Sequence, residues 1–104
     1  MKSESCLIEK LYQATLSLVG GEGEIKDRLE SAAITLSVVQ LEKTLSPEFR
    51  NEFNSIHDEL AKRKAVGGEG RIKATIQELT NMEATRLADR IFHLYVHLQH
   101  EAAL

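Results

Sequence analysis

Apolar residues recur along this chain at helical intervals, broken at a few sharp places. Leu7, Leu11, Ala14 and Leu18 fall at i, i+4, i+7 and i+11, which predicts an amphipathic helix from about Ser3 to Leu18. Ser3 or Ser5 suits its N-cap, and Glu4 suits the positive end of its dipole. Gly20 and Gly21 end it, because glycine turns left-handed at a helix C-terminus without a Cβ penalty. Ile25, Leu29, Ala33, Leu36 and Val39 or Gln40 predict a second helix from near Gly23 to about Lys43 or Thr44. Ile34, Val38 and Leu41 widen its apolar arc, so this helix is expected to be the most buried. Its β-branched residues lower helix propensity slightly, and the periodicity outweighs them.

Leu45-Ser46-Pro47-Glu48 marks a stop and a new start, with Ser46 as N-cap and Pro47 at the first helical position. The third helix carries Phe49, Phe53, Ile56 and Leu60, and its expected end at Lys62-Arg63-Lys64 puts cations on the negative end of the dipole. Ile72, Ile76 and Leu79 form a short stripe of about two turns. Thr80-Asn81-Met82-Glu83 has the form of a capping box and predicts a break. A final helix then runs to about His100 on Leu87, Ile91, Leu94 and Leu98, supported by Ala84, Ala88 and Tyr95.

All six glycines lie in two nearly identical segments, Val19-Gly20-Gly21-Glu22-Gly23-Glu24-Ile25-Lys26 and Val66-Gly67-Gly68-Glu69-Gly70-Arg71-Ile72-Lys73. Only Glu24 and Arg71 differ. Each segment separates two helical stretches. The expected architecture is therefore an all-α single domain over residues 1–104, a compact antiparallel bundle of four to five helices built as two helix–Gly loop–helix halves.

Composition narrows the function classes. With 104 residues, 42% hydrophobic and 28% charged, the chain is a globular domain that can bury its own core. A net charge of −3 gives no global pull toward nucleic acid or anionic membrane. Cys6 is the only cysteine, which excludes an intrachain disulfide and suits a reducing compartment. No segment has the apolar length of a membrane span, and Met1 to Ser5 lead into charged periodic sequence, so a cytoplasmic location is expected.

Several motifs together resemble a set of small bacterial all-helical proteins with repeated Gly-Glu-Gly loops. They are Gly21-Glu22-Gly23 with Ile25-Lys26 and Arg28-Leu29, Leu45-Ser46-Pro47-Glu48-Phe49-Arg50, Gly68-Glu69-Gly70-Arg71-Ile72 with Ala74-Thr75-Ile76, and Ala88-Asp89-Arg90-Ile91-Phe92 with Leu94-Tyr95. The resemblance spans most of the chain. It implies a self-contained bacterial, cytoplasmic helical protein, and it implies no catalytic or binding residue.

Four groups of residues are candidates for chemistry. Each glycine segment could open a helix whose free N–H groups attract an anion, near Lys26 or Lys73. No strand and no Gly-Lys-Ser/Thr accompany them, and Glu22 and Glu69 would repel an anion, so a turn is the simpler expectation. His93, His97 and His100 with Asp89 share an arc of about 80° on the last helix, a possible metal-chelating stripe or a solvated face. Lys62, Arg63, Lys64, Arg71 and Lys73 flank the second glycine segment, an alternative anion or nucleic-acid contact diluted by Asp58, Glu59 and Glu69. Phe92 and Val96, with Tyr95 and Ile91, widen the apolar face of the last helix beyond one neighbour's needs, which fits a homodimer surface. Neither Cys6 nor any serine, histidine or carboxylate sits in a local catalytic signature. The expectation is a non-enzymatic interaction or regulatory protein acting as a homodimer, with no cofactor and no committed metal ligand. The alternatives are a metal-binding bundle at the histidine stripe and a weak anion or nucleic-acid binder at the second glycine loop.

Overall fold

The computed structural model describes residues 2–39, 41, 45–63 and 70–103, with side chains described between residues 7 and 100. The chain forms an all-α bundle of five helices: α1 Lys2–Gly20, α2 Ile25–Ser37, α3 Pro47–Leu60, α4 Arg71–Gln77 and α5 Asn81–Ala103. Helix α2 is the hub and packs on all four other helices, most extensively on α1, while α5 packs on α1, α2 and α3 and the short α4 bridges α2 and α3.

One continuous core runs through all five helices. Leu7, Leu11, Ala14 and Leu18 of α1 meet Leu29, Ala32, Ala33 and Leu36 of α2, and Phe49, Phe53, Ile56 and Leu60 of α3 close over Leu87, Ile91, Leu94 and Leu98 of α5. These are the stripes the periodicity predicts. Phe49 is the largest fully buried side chain, stacking on Phe53 at 6.3 Å and meeting the His97 ring edge-on at 5.6 Å.

Local signals explain the boundaries. The Ser46 hydroxyl accepts the Phe49 N–H at 3.2 Å with Pro47 at the first helical position, so α3 starts as expected. Between α4 and α5 the expected break is a reciprocal capping box. The Thr80 N–H donates to the Glu83 carboxylate at 2.8 Å, and the Glu83 N–H donates to the Thr80 hydroxyl at 3.0 Å. The Thr80 N–H is the main reason the Glu83 carboxyl is held below its ordinary pKa.

Three expectations are corrected. Helix α1 begins at Lys2, so Ser3 and Ser5 lie within it and do not cap it. Helix α2 stops at Ser37, well short of Lys43. There Thr35 Oγ1 donates to the Ser31 carbonyl and Ser37 Oγ to the Ile34 carbonyl, which competes with the backbone ladder, and Val39 N–H tightens onto Leu36 O. Among the described residues α2 has the smallest exposed share of the five helices, as expected, although Ile34 stands out at 54% exposed on the side opposite Leu29 and Leu36. Helix α3 ends at Leu60, where the Ala61 N–H is shared between the His57 and Asp58 carbonyls. Lys62 and Arg63 thus lie beyond the helix and do not form its last turn, and Lys64 lies outside the described residues.

Candidate interaction surface

The first glycine segment is a turn whose polar groups are already used. The Gly21 N–H bonds the Ser17 carbonyl at 3.1 Å, and a Cβ on Gly21 would lie 2.3 Å from that same oxygen. Gly23 takes φ +92°, a region that only glycine enters cheaply. At the start of α2 the Asp27 carboxylate accepts the Glu24 N–H at 3.0 Å, so the protein's own anion occupies the place a ligand would take. Arg28 donates to the Leu18 carbonyl at 2.8 Å, closing the end of α1, and the Lys26 ammonium donates to the Gln77 carbonyl at the end of α4. Both cations that could have held an anion here, Lys26 and Arg28, are tied to backbone carbonyls of the fold. The first half of the second segment, residues 66–69, lies outside the described residues.

The histidine stripe does not converge. His93 Nδ1 lies 2.8 Å from the Asp89 carbonyl and 3.5 Å from its carboxylate on an exposed face. His97 is half-buried and turns toward Phe49, while His100 is exposed. Among the described residues no three histidine, cysteine, aspartate or glutamate side chains come together to hold a metal ion. The Cys6 side chain lies outside the described residues.

The basic cluster is likewise divided. Arg63 pairs with Glu78 at 3.1 Å. Lys62 lines a cleft of about 220 Å³ between α3 and α5, beside Glu59 and Glu83. Arg71 and Lys73 face a different groove with Ile34. Arg90, which no sequence pattern singles out, clamps α5 to α3 through Glu52 at 3.0 Å and Ser55 at 3.1 Å.

The apolar residues give a larger feature than the sequence suggests. Phe92 and Val96 are exposed on the outer side of α5, while Ile91 is fully in the core and Tyr95 is half-buried. Tyr95 packs on Tyr12 of α1 with ring centroids 6.1 Å apart. Tyr12, Leu16 and Val19 follow at i, i+4 and i+7 and form a second apolar stripe on α1, turned well away from Leu11 and Leu18. With Phe92 and Val96 they make one outer face across two adjacent helices, each residue between 36% (Val96) and 75% (Val19) exposed. The α1 half is absent from the sequence expectations, although its spacing was the available signal. A stripe outside the stripe that makes the core is easily read as surface noise.

Among the described residues no helix is long and apolar enough to cross a membrane. No family model matches this chain, and no curated protein or solved structure matches it significantly.

Proposed function

We propose that the protein is a small, non-enzymatic interaction protein of the bacterial cytoplasm that works as a homodimer through the α1/α5 face. The observation that carries this reading is the exposed set Tyr12, Leu16, Val19, Phe92 and Val96 on two packed helices. Scattered surface leucines are ordinary, but a contiguous apolar face on a small domain marks a contact site. These five side chains offer roughly 500 Å² of exposed apolar area. A standard interface buries about 800 Å² per partner, a little over half of it apolar, which this face supplies. A two-fold axis through the face would set the same residues against each other, the commonest arrangement of soluble oligomers.

The competing readings have less support. Metal binding requires side chains that converge, and His93 and His97 turn to different neighbours. Binding of nucleic acid requires a continuous cationic surface, and the cations are split between Glu78, the α3/α5 cleft and the α4 groove.

A native mass spectrum tests the proposal. The untagged protein is expected as an apo dimer, and Leu16→Glu with Phe92→Glu is expected as a folded monomer. A monomeric wild type, or a dimer that survives both charges, refutes it. Mass lost on adding a chelator would favour the histidine stripe instead.

A further inference from the structure

We infer that the groove between α2, α3 and α4 is a second docking surface and that its occupant is an acidic amphipathic helix of a partner protein. The inference rests on reading the chain as an interaction protein, but it uses no residue of the α1/α5 face. The groove has a volume of about 510 Å³, with Ile34 and Ile72 among its walls and Arg71 and Lys73 on its rim. Ile34 is exposed, and so is Val38, four residues on at the C-cap of α2.

Charge selects the occupant. Neither Arg71 nor Lys73 makes a hydrogen bond or ion pair with a described residue. The lining acid is Glu30, on α2, and His57 on α3 lies 3.9 Å from Asp58. The corresponding residues of the first glycine segment are used differently. Lys26 donates to the Gln77 carbonyl, and position 24 is a glutamate. The single substitution between the two eight-residue copies, Glu24 against Arg71, therefore reverses the charge at the rim of an apolar groove. The chain as a whole carries −3, so two cations with no partner among the described residues, beside exposed isoleucine and valine, form a local exception. A helix with an apolar stripe flanked by carboxylates matches both features at once. Nucleic acid would use the cations and leave Ile34 and Val38 in water. Stable attraction to an anionic membrane calls for about four or more clustered cations.

The test is an NMR titration of the full-length ¹⁵N-labelled chain with a synthetic helical peptide of about 16 residues, carrying a leucine stripe flanked by glutamates. A twin with lysines in place of the glutamates serves as the control. The acidic peptide is expected to shift the amides of Ile34, Val38, Arg71, Ile72 and Lys73, and the twin is not. The affinity should fall as salt rises from about 0.05 M to about 0.5 M. The pair Arg71→Glu and Lys73→Glu should weaken it about tenfold with the fold intact. Phe92→Glu should bind the peptide as the wild type does, so failure of the dimer and failure of the groove are separable. Absence of localised shifts, equal binding of the twin, or stronger shifts at these amides from a DNA oligonucleotide or phosphatidylserine vesicles would each overturn the inference.

Discussion

The two glycine segments share seven of eight residues, yet they begin their helices at different positions. Gly23 takes φ +92° and Glu24 caps α2, which starts at Ile25. Gly70 is the equivalent of Gly23, but it has φ −80° and is itself the N-cap of α4, which starts one position earlier at Arg71. The cause lies just beyond the shared stretch. In the first copy Asp27 reaches back to the Glu24 N–H, and this bond fixes Glu24 as the cap. In the second copy those positions are Arg71 and Ala74, no such bond can form, and glycine serves as the cap. Position 28/75 does the same work with different chemistry. Arg28 closes its turn by donating to the Leu18 carbonyl, and Thr75 closes the other by accepting the Arg63 N–H at 2.9 Å. Near-identity of sequence gives a common task at these loops, while their neighbours decide the geometry.

Substitutions separate the two copies. The largest expected effect is Gly21→Ala. Its Cβ would press on the Ser17 carbonyl, and a backbone atom yields only if the end of α1 moves, at a cost of about 2–3 kcal/mol. Thr75→Val follows, because it leaves the Arg63 N–H unpaired beside a fully buried site and should cost about 1–3 kcal/mol in urea unfolding. Next comes the matched pair at the equivalent glycines. Gly23→Ala should destabilise by about 1–2 kcal/mol, since φ +92° strains an L residue and the new methyl crowds Asp27. Gly70→Ala meets no atom within 4 Å at an ordinary φ and should change stability by only a few tenths of a kcal/mol. Equal costs at Gly23 and Gly70 would mean that the two loops share a geometry after all.

The smallest effect concerns acid. The Glu83 carboxyl titrates below its ordinary value of 4.5 because the Thr80 N–H donates to the charged form. A carboxylate lowered by folding contributes stability that is complete above the ordinary value and is lost as pH falls through the lowered one. Protection of the amides at the start of α5, measured against the intrinsic exchange rate at each pH, should therefore fall selectively in that acid window. In Glu83→Gln the same amides should show no such step.

Most of the fold was legible in the sequence, because burial follows the 3.6-residue period closely. Every stripe assigned to α1, α3 and α5 is in the core, and the Thr80 break was encoded in four residues. What escaped was set by competition between local bonds. The early end of α2 depends on Thr35 and Ser37 turning their hydroxyls onto its own carbonyls, and a hydrophobic pattern is blind to that choice. The histidines shared an arc on paper, yet the ring of His97 turns inward to Phe49, a partner no spacing rule supplies. The α1/α5 face was half visible. Phe92 and Val96 stood out on one helix, but their continuation through Tyr12 and Leu16 depends on which helix packs beside α5.

The most direct test of the dimer is an isotope-filtered NOE experiment on a mixture of ¹³C-labelled and unlabelled protein. Signals crossing between protomers are expected among Tyr12, Leu16, Phe92 and Val96, and none at Ile34 or Val38. Their absence from the α1/α5 set, or their appearance at the α2 residues instead, would contradict the account.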